Sequence, residues 1–241
     1  MFNPHASLRQ ILIPGHTPCV VIDNFLLEPE KMVAFAQARR DAFAHEGGNF
    51  FPGPEIEMPP AFSALLGDYF TQHVRRLLGA RRTLDVTSRL SMVTRPPALL
   101  HPAQRICHRD SMVGTRRVNP AAGEGIAASV LYLFQDSGLG GTSFYVPSQP
   151  VPQMNALFEH ARTGSGADFD AILKSPPAYL GASNDYFEQV CSIPAAFNRA
   201  IFYDGAIFHS AQVDAPGRLS QDPAHGRLTL NGFFLLRKPA S

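Results

Sequence analysis

Residues 126–146 have the sequence IAASVLYLFQDSGLGGTSFYV, which predicts two short apolar strands separated by a polar, glycine-rich turn. Five further strands are predicted around this pair: LDVTSRLSMVT (84–94), RICHRD (105–110), RAIFYDG (199–205), IFHSAQV (207–213) and RLTLNGFFLL (227–236). Many short strands with turn signals between them are typical of a sandwich, a jelly roll or a barrel. Because no strand alternates regularly with a helix, a doubly wound sheet is disfavoured.

The first part of the chain predicts helices. A strand and turn over 18–27 precede a helix over 28–44, and a second helix is predicted over 60–79. Between them, residues 47–60 are too rich in Gly and Pro for regular structure. The overall prediction is a mainly β fold with flanking helices.

We expect residues 1–241 to form a single domain in which 1–83 are an N-terminal helical support. The β core would then comprise 84–146 and 199–238, interrupted by an insertion over 147–198. Within the insertion, VPQMNALFEHARTG and NDYFEQVCSI each predict a helix. Long excursions between core strands are often lids, so the insertion is a candidate for the wall of a substrate pocket.

Composition disfavours several classes of protein. The net charge is +1, from 21 basic and 20 acidic side chains, so no basic surface for nucleic acid or for an anionic membrane is indicated. Three separated cysteines form no disulfide framework. No signal peptide and no membrane-spanning apolar stretch is recognised, and we therefore expect a cytoplasmic protein.

Three residues suggest a metal site: His108 and Asp110 in ICHRDSM, and His209 in FYDGAIFHSA. Side chains at i and i+2 of a strand point the same way, so His108 and Asp110 can reach one metal while His209 approaches from a distant strand. Two imidazoles and one carboxylate are the facial triad of non-haem Fe(II) oxygenases, which leaves coordination positions open for reaction. The HRD triplet also occurs in protein kinases, but their Gly-rich loop and DFG motif are missing.

A second group lies eighteen residues after His209. Arg227 and Thr229 share one face of a predicted strand whose other face carries Leu228 and Leu230. A buried arginine needs an anionic partner, and its planar fork fits a carboxylate in two places. Because no acidic residue is obvious nearby in sequence, the carboxylate of a ligand is a candidate partner, with an ordinary structural ion pair as the alternative.

These segments together resemble the Fe(II)/2-oxoglutarate-dependent oxygenase superfamily, on its prolyl-hydroxylase-like side. The resemblance extends over about residues 89–237. The segments that carry it are the His-x-Asp motif, SVLYLFQ, GGTSFY, FYDGAIFH and RLT. Within the superfamily, the sequence most resembles an uncharacterised bacterial group of 2-oxoglutarate-oxygenase-like proteins. It implies a double-stranded β-helix, which is a distorted, cupin-like jelly roll. One departure is Phe134, where relatives often have Asn after the Tyr-Leu pair.

The resemblance also implies residue roles. His108, Asp110 and His209 would bind Fe(II) and act in catalysis. Arg227 would bind the far carboxylate of the cosubstrate 2-oxoglutarate, with Thr229 and Tyr132 beside it. The implied reaction uses O₂ to hydroxylate an unactivated C–H bond of a peptide side chain or a small metabolite.

Two other classes of function remain open. A cupin-like metal protein with a different reaction would keep the three metal ligands without needing Arg227 for binding. A non-enzymatic module that binds metal or 2-oxoglutarate would keep all four residues. A nucleic-acid demethylase is disfavoured by the neutral charge, and the sequence indicates neither an oligomeric state nor a particular substrate.

Overall fold

The computed structural model describes residues 1–45 and 50–239. The described residues form twelve β-strands: β1 (Ser7–Ile11), β2 (Cys19–Asp23), β3 (Glu55–Glu57), β4 (Arg82–Val93), β5 (Met112–Val113), β6 (Arg116–Arg117), β7 (Glu124–Tyr132), β8 (Thr142–Pro147), β9 (Phe187–Ile193), β10 (Arg199–Asp204), β11 (Phe208–Ala211) and β12 (Arg227–Arg237). They also form four α-helices: α1 (Pro29–Ala38), α2 (Pro60–His73), α3 (Val151–Thr163) and α4 (Gly166–Leu173). The prediction of a mainly β protein with flanking helices is therefore confirmed.

A large antiparallel sheet forms the centre of the molecule. Its strand order is β1-β2-β10-β7-β12-β4-β3, so the long strand β12 lies between β7 and β4. One face of this sheet carries Leu228, Leu230 and Phe234, which pack with the apolar residues of α2, such as Phe70. Phe70 and Phe234 stack with their ring centroids 4.0 Å apart. This helix-covered face is called the outer face below.

A smaller antiparallel sheet, in the order β11-β8-β9, packs against the opposite face of the large sheet. Phe144 and Ile193 of the small sheet belong to the same buried cluster as Tyr132, Ile201 and Tyr203 of the large sheet. We call this side of the large sheet the inner face. The two sheets thus form two packed layers, with an interior between them and helices on the outside.

Two predicted elements are wrong. RICHRD is not a strand: the segment pairs through a single bridge, between His108 and His209, and follows a short 3₁₀ helix over Pro102–Arg105. NDYFEQVCSI is not a helix: it contains β9, which pairs with β8. A strand forms only where a neighbouring strand is available for hydrogen bonding, and the local sequence of neither segment shows whether such a neighbour exists.

Other boundaries also differ. The region 47–60, expected to be irregular, contains the short strand β3, while its first residues 47–49 lie outside the described part of the chain. The two N-terminal helices end earlier than expected, at Ala38 and His73. Among the described residues, no helix combines the length and apolarity needed to cross a bilayer.

Candidate metal centre

His108, Asp110 and His209 converge on one point. One potential ligand atom from each lies within 4.8 Å of the others. Nε2 of His209 is 3.5 Å from Oδ2 of Asp110, and Nε2 of His108 is 3.8 Å from Oδ1 of the same carboxylate. In the described part of the chain, this is the one group of three or more His, Cys, Asp or Glu side chains close enough to share a metal ion.

Backbone hydrogen bonds bring these residues together. The His108 N–H donates to the His209 carbonyl at 3.0 Å, and the His209 N–H donates back at 2.9 Å. The Asp110 N–H donates to the Gly205 carbonyl at 2.8 Å. The loop that carries two of the candidate ligands is therefore attached at His108 to β11 and at Asp110 to the β10–β11 connection, without being part of a continuous strand.

Gly205 leaves space for the carboxylate. A Cβ atom at this position would lie 2.8 Å from Oδ2 of Asp110, closer than real Cβ contacts allow. Gly205 thus belongs to the candidate site, a position that the sequence patterns did not single out although it stands inside the quoted segment FYDGAIFH.

The ligand atoms are arranged to receive a cation. Nδ1 of His209 lies 2.8 Å from the Ile207 carbonyl, and this contact fixes the proton on Nδ1, leaving the lone pair of Nε2 facing Asp110. Oδ2 of Asp110 is buried without a hydrogen-bond partner among the described residues. A buried carboxylate oxygen without a donor is costly, and a divalent cation held by the three side chains would satisfy it.

The site favours neutral side chains in the absence of a cation. Burial raises the pKa of Asp110 to about 6, against the smaller opposing effects of His108 and Arg89. Burial lowers the pKa of His209 to about 4. The pKa of His108 is lowered in the same direction, by desolvation and then by His209, although 60% of its side chain is accessible at the mouth of the site. Two neutral imidazoles are the form that binds metal.

Arg227 is buried, with 3% of its surface exposed, and it projects from the inner face of β12. Its Nε donates to the Leu139 carbonyl at 2.9 Å, and its Nη2 donates to the carbonyls of Gly141 at 2.7 Å and Gly140 at 3.3 Å. The guanidinium thus holds the turn between β7 and β8 and lies 5.6 Å from the Phe134 ring centroid. The alternative of an ordinary ion pair is not realised among the described residues, because these partners are carbonyls.

Nη1 of Arg227 has no hydrogen bond to any described residue, and it is not among the described buried polar atoms that lack a partner. Nη1 is therefore the nitrogen of the guanidinium to which no described residue is hydrogen-bonded.

Tyr132 and Thr229 lie next to each other on the inner face, because they are paired across β7 and β12. The Tyr132 hydroxyl donates to Oγ1 of Thr142 at 2.8 Å, and Oγ1 of Thr229 makes a long contact of 3.4 Å with the Ser91 carbonyl. Burial raises the pKa of Tyr132, so its hydroxyl stays protonated. Both side chains therefore lie on the same face of the sheet as Arg227, which is two residues before Thr229 on β12.

The 147–198 insertion contacts the metal-binding loop. Phe158 of α3 stacks on Phe208, the neighbour of His209, with ring centroids 5.6 Å apart. Arg105, three residues before His108, is buried and pairs with Asp170 of α4 at 2.5 Å. The hydroxyl of Tyr179 donates to the Arg95 carbonyl at 2.6 Å. Burial raises the pKa of Tyr179 to about 12, against the smaller opposing effect of the Arg227 charge.

Comparison with known proteins gives distant structural similarities. A comparison with curated protein sequences finds no match. The non-haem α-ketoglutarate-dependent epimerase SnoN from nogalamycin biosynthesis is 14% identical, with 92% of this chain and 81% of that chain covered and a TM-score of 0.46. HygX from Streptomyces hygroscopicus, solved with nickel and 2-oxoglutarate, is 12% identical, with coverage of 90% and 82% and a TM-score of 0.47.

A novel N-substituted L-amino acid dioxygenase from Burkholderia ambifaria AMMD is 11% identical, with 98% of this chain and 96% of that chain covered and a TM-score of 0.41. At TM-scores below 0.5 the similarity is distant and assigns no role to any residue. The family comparison is more direct: the model of DUF6445, a family of unknown function, matches residues 4–234, and the chain therefore belongs to this family.

Proposed function

We propose that this protein is an Fe(II)- and 2-oxoglutarate-dependent oxygenase. The observation that carries the proposal is the Asp110 carboxylate, whose Oδ2 is buried without a hydrogen-bond partner among the described residues. Nε2 of His209 faces this Oδ2, and Nε2 of His108 faces Oδ1 of the same carboxylate. Two imidazoles and one carboxylate suit iron, and three ligands on one side leave positions open for a cosubstrate. In this proposal, the two packed sheets are the halves of a double-stranded β-helix whose interior contains the site.

Each residue of the site has a separate role in this proposal. His108, Asp110 and His209 would hold Fe(II), while Nη1 of Arg227 would bind the far carboxylate of 2-oxoglutarate beside Thr229 and Tyr132. Together with O₂, the bound iron and cosubstrate supply the oxidation of an unactivated C–H bond. The chain supplies orientation, a neutral pair of imidazoles and an interior shielded from water.

The proposed substrate is a peptide side chain or a small metabolite, in a cytoplasmic protein without a nucleic-acid partner. The 147–198 insertion would form the wall of the substrate pocket, since α3 packs on the neighbour of His209 and α4 on the segment that precedes His108. The insertion is not wholly separate from the core, because β9 belongs to the small sheet.

The central test is binding, which requires no knowledge of the substrate. Mn(II) replaces Fe(II) so that calorimetry can be done in air, and 2-oxoglutarate is added to the Mn(II)-loaded protein. Wild-type protein should bind one Mn(II) and then one 2-oxoglutarate, whereas Asp110→Asn should lose Mn(II) affinity by at least about tenfold. Asp168→Asn, at an exposed carboxylate of α4, is the control and should bind normally.

A second candidate is favoured by one observation. Arg227 already donates to three backbone carbonyls, which gives this residue a structural role without any cosubstrate. That arrangement suits a cupin-like metal protein with a different reaction. Mn(II) binding without any binding of 2-oxoglutarate would select the cupin-like function, and loss of both would refute the metal site itself.

The role of the insertion has its own test. Ser148 and Tyr186 are hydrogen-bonded through their backbones at 2.8 Å, so residues 149–185 can be replaced by a short Asn-Gly turn while β9 is kept. The shortened protein should keep Mn(II) and 2-oxoglutarate binding but lose substrate-dependent succinate formation on a panel of peptides and metabolites. A shortened protein with full substrate-dependent turnover would show that the insertion is not a substrate wall.

A further inference from the structure

Tyr203 is a buried tyrosine beside the candidate metal centre that the proposed function does not use. It belongs to β10 and is 3% exposed. Its ring packs edge-on against His209 at a centroid distance of 4.8 Å and against Phe144 at 5.0 Å. Its position is therefore fixed by one of the metal ligands and by the small sheet.

The hydroxyl of Tyr203 makes no hydrogen bond with any described residue. The residue itself is buried, so this hydroxyl has little contact with bulk solvent. Ile201, Ile207 and Phe144 belong to the apolar cluster around it and provide no acceptor. Keeping a hydroxyl in such surroundings is unfavourable unless an acceptor is supplied from outside the chain.

Tyr203 lies beside the candidate metal site. Its ring contacts His209 and belongs to the same buried cluster as Tyr132, so the residue lies between one candidate metal ligand and the pair formed by Tyr132 and Thr229. Burial raises the pKa of Tyr203 well above its usual range, and the charge of Asp110 raises it further. Asp110 and Tyr203 do not bond to each other, although both present an unpartnered oxygen to the interior.

The side chain next to Tyr203 on the inner face of the large sheet is small. Across the ladder, Tyr203 pairs with Ala128, and Ala128 pairs with Phe233 on its other side. All three side chains therefore point to the inner face, and the single methyl group of Ala128 separates two large rings. The neighbour of Tyr203 in the direction of β12 is therefore a small side chain.

We propose that Tyr203 binds the 2-oxo acid at the metal centre, by donating a hydrogen bond from its hydroxyl to a carboxylate oxygen of that acid. This inference rests on the proposed function, because it needs an acid bound at His108, Asp110 and His209. The hydroxyl acts only as a neutral donor, and no proton is transferred. A carboxylate is the fitting acceptor, because its charge would make the hydrogen bond from the neutral hydroxyl a charge-assisted one.

The experiment compares wild-type protein with Tyr203→Phe, which removes only the hydroxyl. Calorimetry measures the affinity of each Mn(II)-loaded protein for 2-oxoglutarate. Loss of a hydrogen bond to a charged acceptor should weaken the affinity by about tenfold or more while leaving Mn(II) affinity unchanged. Tyr145→Phe is the matched control, because this buried hydroxyl donates to the Leu180 carbonyl and should not affect binding of the acid.

A spectroscopic readout separates binding from general stability. Under anaerobic conditions, the charge-transfer band of the Fe(II)–2-oxoglutarate complex should move to shorter wavelength in Tyr203→Phe, because the lost hydrogen bond no longer lowers the energy of the acid's empty orbital. Unchanged affinity together with an unchanged band would overturn the inference. If the Phe variant does not fold, the same measurements are made on Tyr203→Met, which also lacks the hydroxyl donor.

The two proposals fail in different ways. If wild-type protein binds Mn(II) but no 2-oxoglutarate, the proposed function fails and the inference fails with it. If wild-type protein binds the acid, and Tyr203→Phe binds it equally well with an unchanged charge-transfer band, only the role of Tyr203 is refuted.

Discussion

At the scale of single residues, the candidate site depends on small distances around two side chains. Asp110 is held by the carbonyl of Gly205 and is crowded by any side chain placed there. Arg227 is held by the turn that it supports, so its guanidinium is fixed before any ligand arrives. Preorganised groups of this kind lose little freedom on binding.

Gly205→Ala should weaken metal binding. The added methyl group would lie 2.8 Å from Oδ2 of Asp110 and must displace the carboxylate from the two histidines. We expect Mn(II) affinity to fall by about 10- to 100-fold, measured by calorimetry, with the overall fold retained. Gly217→Ala is the control, because a Cβ there meets no atom within 4 Å. Equal Mn(II) affinities in both variants would argue against this crowding.

Arg227→Lys should destabilise the protein in the absence of ligand. A lysine cannot bond the carbonyls of Leu139, Gly140 and Gly141 together, and buried carbonyls left unpaired raise the energy of the native state. We expect a loss of about 2 kcal/mol in the free energy of unfolding, measured by denaturant titration.

The control for that variant is Arg218→Lys. Arg218 is 58% exposed and pairs with Asp136 in the same turn, so its replacement should cost below about 0.5 kcal/mol. Equal stabilities of the two variants would mean that the Arg227 hydrogen bonds contribute little.

At the scale of elements, α4 is attached to the segment that leads to His108. Arg105 is buried, pairs with Asp170, and donates to the Ser175 carbonyl at 2.9 Å. Its guanidinium also lies 5.4 Å from the ring centroid of Phe169. The position of the insertion and the position of the metal-binding loop are thus linked through one arginine.

Asp170→Ala should destabilise α4 more than is usual for a partly exposed carboxylate. The change leaves the charge of Arg105 buried without its carboxylate, so we expect a loss of about 2 kcal/mol in the free energy of unfolding. Hydrogen exchange should accelerate in α4, Gly166–Leu173, before it does in the strands. Adding Arg105→Met should recover part of the stability, and a further loss in the double variant would contradict the role of the unpaired charge.

At the scale of the whole molecule, a bound cation would connect the two sheets. His209 belongs to the small sheet, while Asp110 is bonded to Gly205 directly after β10 of the large sheet. A ligand that binds only the folded state stabilises every element that must be in place for binding. The metal should therefore raise the unfolding temperature of the protein as one unit.

Mn(II) at about 100 times its dissociation constant should raise the unfolding temperature by about 5–10 °C near pH 7. This gain should shrink as the pH falls through about 6, because the raised pKa of Asp110 makes its carboxyl take up a proton there. His209, with a pKa lowered to about 4, is protonated only at lower pH. Calorimetric scans from pH 5 to 8 test this, and a gain that did not change over that range would exclude Asp110 as a ligand.

In the metal-free protein, the raised pKa of Asp110 also makes the free energy of unfolding depend on pH. A carboxyl with a raised pKa in the native protein contributes stability at low pH and loses that contribution as the pH rises through about 6. Above that pH the charged Asp110 is buried without a partner, which is the condition that a cation relieves. Asp110→Asn should show neither the Mn(II) effect nor its dependence on pH.

Much of the architecture was already contained in local patterns. Alternation along β12 placed Leu228 and Leu230 on one face and Arg227 and Thr229 on the other, and the structure confirms this division. Alternation is dictated by the geometry of a single strand, so it needs no knowledge of the rest of the molecule. The residue types of His108, Asp110 and His209 likewise indicated a metal site from chemistry alone.

The tertiary structure decided which segments meet. The strand β9 was predicted as a helix, because its short apolar run fits both structures, and pairing with β8 selected the strand. The loop around His108 reaches His209, about 100 residues away in sequence, through one bridge that no local pattern contains. The contacts of Gly205 with Asp110 and of Tyr203 with His209 could not be predicted from local patterns, because contacts between distant segments depend on the packing of the whole chain.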